Sequence, residues 1–272
     1  MAAGEHTHGA VVTGAGSTTA ADTTIGTITL PAGGPWLISG IFGQAVQATQ
    51  AAAECAGGYI EADVASGDLS PNPAPSKFPT GFAGSQLGAT GDIQICPLYI
   101  HEVEWEAAGK AVINMVFHQE IAITTANQVV CGLIYGKGSI VKKPCRFMDR
   151  VTTTKTAAAK SAIGTITLSE RAEEIVGIGF QFVQDGVITA AEELIGYGII
   201  ESDDLDVVPG QYPAMAAFSA GLGALIMNGP YTPPNLIPVN IPVIGGARID
   251  CSAVFNTAVT NGAMVSCFIA YR

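Results

Sequence analysis

Several groups of residues in this chain have types and spacings that chemistry uses. Glu102, Glu104 and Glu106 alternate, so on a strand they share one face. Carboxylates paired in this way can serve as general acid and base, and glycoside hydrolysis needs two of them suitably spaced. The run Glu201-Ser202-Asp203-Asp204-Leu205-Asp206 offers the oxygen ligands that calcium takes. His6 and His8 have the spacing of a metal-binding pair, while His101 and His118 stand singly. Gly136-Lys137-Gly138-Ser139 has part of the composition of a phosphate loop. Cys55, Cys96, Cys131, Cys145, Cys251 and Cys267 are the six thiols.

Each group has a plainer reading, which the sequence favours. Where the first half has its three glutamates, the second half has Val243, Gly245 and Ala247, so the glutamates read as a solvated strand face. The acidic run lacks the EF-hand pattern and reads as a solvated loop. Glu61, Asp63 and Asp68 stand at the corresponding place in the first half, and calcium at Glu201–Asp206 stays open. Bicupin metal enzymes need a His-x-His pair inside the barrel with a Glu and a later His. Here His6 and His8 precede the first strand, His118 aligns with Asn256, and the second half has no histidine. No Gly-x-Ser-x-Gly elbow marks a nucleophile. No Cys-x-x-Cys pair marks zinc or redox chemistry. Cys131 and Cys267 lie in apolar strands as small hydrophobes, so reduced buried thiols are expected and no disulfide is assigned. Aromatic content of 7% argues against a sugar-stacking cleft. The sequence therefore assigns no catalytic, cofactor-binding or metal residue and leads us to expect a protein that is not an enzyme.

The elements that carry these residues are organised by a repeat. Ile25-Gly26-Thr27-Ile28-Thr29-Leu30 returns as Ile163-Gly164-Thr165-Ile166-Thr167-Leu168. Further matches follow in the same order. Gly58-Tyr59-Ile60-Glu61 aligns with Gly198-Ile199-Ile200-Glu201, and Val130–Tyr135 aligns with Ser266–Tyr271. The offset drifts only between 134 and 141, so insertions belong in loops. Between Gly/Pro clusters the segments are β-branched or alternate apolar with polar, the pattern of a sandwich or barrel. Three stretches, Gln47–Glu54, Thr189–Leu194 and Ala214–Met227, have the composition of short helices. The expected fold is all-β: two tandem duplicated antiparallel β-sandwich (jelly-roll-like) domains. A flexible N-terminal arm is expected over 1–22, the first sandwich over 23–136, a basic linker over 137–160 and the second sandwich over 161–272.

Charge is sparse and uneven. Hydrophobic residues make up 48% and charged residues 13% of the 272, with a net charge of -11. So little charge suggests that much of each domain's outside is covered by other subunits. No stretch is a clean apolar span of ~20 residues. Val207–Ala247 has no charged residue, but seven prolines interrupt it, and a buried or interface segment is the expectation. The start of the chain has neither the basic start nor the apolar core of a secretory signal. Lys137, Lys142, Lys143, Arg146, Arg150, Lys155 and Lys160 are seven of the twelve cations. They read as a solvated linker, as a strap that docks on an acidic face such as Glu201–Asp206 of a neighbour, or as a weaker nucleic-acid contact.

Two consecutive jelly-roll-like domains without an enzyme motif resemble the double-jelly-roll major capsid proteins of icosahedral viruses. The resemblance runs from about Thr24 to Arg272 and is one of architecture, with no diagnostic motif. It implies a self-assembling structural protein of the virion, built in the host cytoplasm. Homotrimeric capsomers would tile a shell, with other virion proteins as possible partners. In that family the two rolls seldom keep recognisable sequence similarity, whereas here they do. An extracellular filament or adhesin subunit is the alternative, and a bicupin-like metal enzyme the third reading.

Overall fold

A computed structural model describes residues 7–47, 55–65, 67–73, 76–81, 83–85, 93–94, 98–120, 122–123, 127–137, 144–184, 192–193, 196–205, 210–213, 218–219, 236–256, 258 and 263–272. Every regular element among them is a strand. Among the described residues no helix is long and apolar enough to cross a membrane. The stretches of helical composition lie mostly outside the described residues. Within them, Gln47 ends a strand, and Glu192–Glu193 pairs with Phe218–Ser219 as a short ribbon.

The first roll has eight principal strands: β1 (Thr7–Ala15), β2 (Asp22–Thr29), β3 (Trp36–Gln47), β4 (Gly58–Val64), β5 (Phe78–Pro79), β6 (Tyr99–Ala107), β7 (Val112–Gln119) and β8 (Asn127–Gly136). They form two antiparallel sheets, β1-β8-β3-β6 with Leu69–Ser70 at the edge, and β2-β7-β4-β5. The second roll repeats the plan with β9 (Phe147–Lys155), β10 (Ser161–Thr167), β11 (Glu174–Gln184), β12 (Gly196–Glu201), β13 (Gly210–Pro213), β14 (Leu236–Pro242), β15 (Arg248–Phe255) and β16 (Ala263–Tyr271). Its sheets run β9-β16-β11-β14 and β10-β15-β12-β13. In each roll the first strand pairs with the last, the crossed strand order of a jelly roll. The all-β, duplicated sandwich expected from the sequence is thus the fold.

Strand periodicity sets what is buried. Along β7, Ile113, Met115 and Phe117 face the core, while Asn114, Val116 and His118 face outward. Trp105, Phe78 and Phe117 are fully buried in the first roll, and Phe180, Phe182 and Ile249 in the second. Each such side chain contributes about 1.5–3 kcal/mol by leaving water.

The repeated hexamer has structural reasons to persist. Its first residue is skipped in the ladder both times: β7 pairs with Gly26 and then Thr24, and β15 pairs with Gly164 and then Ala162. Ile25 and Ile163 are therefore the extra residues of matching bulges, which bend the strand and pin its register. Its first threonine makes the same cross-strand bond twice. Thr27 Oγ1 donates to Asn114 Oδ1 at 2.9 Å, and Thr165 Oγ1 to Asp250 Oδ1 at 2.6 Å. The register corrects the sequence alignment in more than one place, and His118 matches Val254 and not Asn256. Tyr59 lies opposite His118 and Tyr197 opposite Val254, so Gly58-Tyr59 matches Gly196-Tyr197, two residues earlier than Gly198-Ile199. Both glycines press on the facing strand. A Cβ on Gly58 would lie 1.9 Å from the carbonyl oxygen of His118, and one on Gly196 2.3 Å from that of Val254.

The stretches expected as arm and linker hold strands: β1 lies within 1–22 and β9 within 137–160. Of the seven cations there, Arg150 and Lys155 are buried, Arg146 pairs with Glu104 and Lys160 with Glu201. Lys142 and Lys143 lie outside the described residues. The two rolls dock over an apolar seam. Met148, Val176, Phe268 and Ala270 on the outer face of the β9-β16-β11-β14 sheet join the core of the first roll. Hydrogen bonds stitch the seam: Trp105 Nε1 donates to the Arg146 carbonyl at 2.8 Å, and Lys77 N to the Met148 carbonyl at 2.7 Å. Part of the apolar excess in the composition is thus spent between the two rolls of one chain.

Candidate functional site

The outward face of β2-β7-β4 carries a row of polar side chains where the first roll meets the second. Asp22, His118 and Tyr59 stand opposite one another on three adjacent strands. Asp22 Oδ1 lies 2.6 Å from His118 Nδ1. A carboxylate only accepts, so Nδ1 carries the proton, which leaves Nε2 as the free lone pair of the neutral ring. The Tyr59 ring stacks on the imidazole at 4.6 Å and 7°. The imidazole is thus held at one nitrogen and along one face.

Glu61 is two residues along β4 on the same face as Tyr59. Burial raises its pKa above the ordinary carboxylate value, and the charge of Asp22 raises it further, against opposing effects of Lys77 and His118. The same row pushes the Tyr59 hydroxyl up, first by burial and then through Glu61, Asp22 and Glu120. Lys77 Nζ lies 5.3 Å from the Tyr59 ring centre.

Behind Tyr59 the second roll inserts Arg150, whose side chain is 1% exposed. Its Nη2 lies 2.5 Å from Glu120 Oε2, a close ion pair poorly aligned as a hydrogen bond. Its Nη1 donates to the Gly58 carbonyl at 3.0 Å and its Nη2 to Ser266 Oγ at 2.6 Å. Gly58, which opens the strand bearing Tyr59 and Glu61, is therefore fixed by a cation from the other roll. On the other face of β9, Tyr271 donates to Asp149 Oδ2 at 2.7 Å. Burial raises the Asp149 pKa, while Tyr271 and Lys77 oppose the shift. Asp149 and Tyr271 line a cavity of about 420 Å³ with Ser76, Ser169 and Arg171.

The residues singled out from the sequence fall elsewhere, His118, Glu61 and Arg150 excepted. Glu102 and Glu106 are exposed and Glu104 pairs with Arg146 at 3.5 Å, so they form no acid–base pair. Glu201 is bound by Lys160, and Asp204 Oδ2 accepts from Arg248 N at 3.0 Å. Asp68 does the same for Val112 N at 3.1 Å, so the acidic loop serves a turn that both rolls share. Among the described residues no group of three or more His, Cys, Asp or Glu could hold a metal ion. Cys131, Cys145, Cys251 and Cys267 are buried and unbridged. His6, Cys96, Gly138 and Ser139 lie outside the described residues.

No family model matches the sequence. No curated protein matches it either. Solved structures do align with it. One is PNGase F, a glycosylasparaginase from Flavobacterium meningosepticum, at 12% identity and a TM-score of 0.43, over 98% of this chain and 96% of that one. Another is a peptide-N(4)-(N-acetyl-beta-D-glucosaminyl) asparagine amidase, at 10% identity and a TM-score of 0.39, over 97% and 96%. At these scores the likeness assigns no activity to this chain. The capsid, virion and non-enzyme expectations are nonetheless corrected, because these two structures are of a glycosylasparaginase and an asparagine amidase. Their error has a physical reason. Tandem β-sandwiches host unrelated functions, so architecture alone does not select a shell subunit.

Asp22, Tyr59, Glu61 and Arg150 had not been recognised as a site in the sequence. The signal was present in the repeat. At the correct register the second roll has Lys160, Tyr197, Ile199 and Val254 where the first has Asp22, Tyr59, Glu61 and His118.

Proposed function

We propose that the first roll carries a hydrolytic acid–base site in the row Asp22–His118–Tyr59, with Glu61 as proton donor. The observation that supports it is the His118 imidazole, bonded through Nδ1 to Asp22 at 2.6 Å and stacked on Tyr59, on the strand face that also carries Glu61. Asp22 fixes the tautomer and orientation of the ring. Nε2 takes a proton from water as the oxygen attacks the substrate carbon. Glu61, held toward its protonated form, gives its proton to the departing atom. Amine and alkoxide leaving groups need that proton, because neither leaves readily as an anion. The imidazolium then returns its proton to Glu61 through solvent. Lys77 supplies positive charge beside the row, and Tyr59 holds the plane of the ring.

The test uses chromogenic aryl amides and aryl glycosides, with side-chain NMR titration of Glu61 alongside. Turnover that disappears in His118→Ala and Glu61→Gln, with Glu61 titrating above the ordinary carboxylate value, is the expected result. Turnover that survives His118→Ala, or a Glu61 that titrates normally, removes the assignment.

A further inference from the structure

The cavity of about 420 Å³ beside Asp149 and Tyr271 falls within the usual range of small-molecule pockets, ~300–1,000 Å³. Ser76 lines it from the first roll, and Phe147, Asp149, Ser169, Arg171 and Tyr271 from the second. A chain of hydrogen bonds orders this wall. Tyr271 Oη donates to Asp149 Oδ2 at 2.7 Å and accepts from Ser169 N at 3.3 Å, and Ser169 Oγ accepts from Arg171 N at 3.2 Å. The Asp149 carboxyl group and the turn that bears Arg171 are thus held to the same tyrosine.

These two opposite charges line one cavity and do not meet. No ion pair joins them, and among the described residues neither has an ion-pair partner elsewhere. Asp149 is half-buried, yet its Oδ1 accepts no hydrogen bond from the described residues and is not sealed from solvent. Burial raises the Asp149 pKa, as for a carboxylate that has left water without a cation in contact. Arg171 is exposed.

The repeat separates what holds this corner from what is added to it. The turn is made twice: Gly246 N donates to the Ser169 carbonyl at 3.1 Å, as Lys110 N does to the Pro31 carbonyl at 3.2 Å. The ring pair is made twice, Phe147 on Tyr271 and His8 on Tyr135, each at 5.4 Å. The charges are made once. By strand register Ala10 stands where Asp149 does, and by spacing from the hexamer Gly33 stands where Arg171 does. The corner therefore folds without them in the first roll.

We infer that this cavity binds a small zwitterion, a short amino acid whose ammonium group donates to Asp149 Oδ1 and whose carboxylate pairs with the Arg171 guanidinium. Tyr271 holds the carboxyl group in place for the ammonium. Arg171 disfavours a ligand that is only a cation, and Asp149 one that is only an anion. The site shares no residue with the hydrolytic row, so neither assignment depends on the other.

The probes are glycine, β-alanine, γ-aminobutyrate and 5-aminovalerate, which carry the two charges at increasing separation. Butyrate and butylamine carry one charge each. Calorimetry on the whole chain should show saturable one-to-one binding of at least one zwitterion. Butyrate and butylamine should bind ~10- to 100-fold more weakly, the effect of losing one charge-assisted hydrogen bond. Arg171→Gln, at an exposed position, should reduce the best zwitterion to the affinity of butylamine, and Asp149→Asn to that of butyrate. His118→Ala should bind it as wild type does. In carbon-13 NMR the zwitterion should shift the Asp149 carboxyl resonance and leave that of Asp22 in place. No saturable binding of any zwitterion, equal affinity for the singly charged analogues, an unmoved Asp149 resonance or unchanged binding in Arg171→Gln overturns the inference.

Discussion

The outward sheet faces of the two rolls share one backbone and differ in one row of side chains. In the first roll β2, β7 and β4 present Asp22, His118 and Tyr59, with Glu61 beside them. In the second the same places hold Lys160, Val254, Tyr197 and Ile199. What surrounds the row is retained: the bulge at Ile25 and Ile163, the threonine bonds to Asn114 and Asp250, and the aspartate caps of Asp68 and Asp204. Devices that hold the strands in register persist in both copies. A His–Asp pair contributes little to a sheet, so its presence in one copy alone points to use and not to folding.

That contrast can be broken in order of effect. If the row is catalytic, His118→Ala lowers kcat by about 10²–10⁴, whereas Val254→Ala leaves it unchanged; steady-state hydrolysis assays compare the two. Arg150→Met leaves Glu120 buried without its cation. Chemical denaturation should show a loss of ~3–5 kcal/mol, the usual cost of removing one partner of a buried pair. Gly58→Ala and Gly196→Ala drive a methyl group into a facing carbonyl in either roll, and each should cost ~1–3 kcal/mol. A large cost in only one of them would mean that the two strands are not equivalent. Thr27→Val and Thr165→Val each remove one exposed cross-strand bond and should cost ~1 kcal/mol or less by the same measurement.

The smallest effect is one of pH. A carboxyl group whose pKa is raised by folding stabilises the protein while protonated and loses that contribution as pH rises through its folded value. Wild type should therefore lose stability relative to Glu61→Gln as the pH climbs from the ordinary value of 4.5 through the raised one. Thermal melts of both proteins across that window read the sign, and a gap that stays constant would contradict the raised pKa.

The fold was legible because the hexamer records a bulge, a cross-strand bond and a core strand in six letters. The register at Tyr59 was not, since Ile199-Ile200-Glu201 imitates Tyr59-Ile60-Glu61 and only pairing with His118 shows the two-residue displacement. His118 looked solitary because Asp22 lies 96 residues away along the chain. Glu102, Glu104 and Glu106 had the opposite failing, with visible spacing and no neighbours to make it chemistry. The sparse charge suggested subunit contacts because composition cannot say whose surface covers an apolar face. Met148, Val176, Phe268 and Ala270 meet the first roll of their own chain.

The pairing of first with last strand gives the two rolls different histories during synthesis. The first can pair its outer strands when β8 has emerged and found β1, with the whole second roll still to be made. The second cannot close until Tyr271 is added, because β16 lies between β9 and β11 in its sheet. A ribosome that stalls before β16 therefore leaves a first roll with its strands paired beside a second one whose strands have no centre to join.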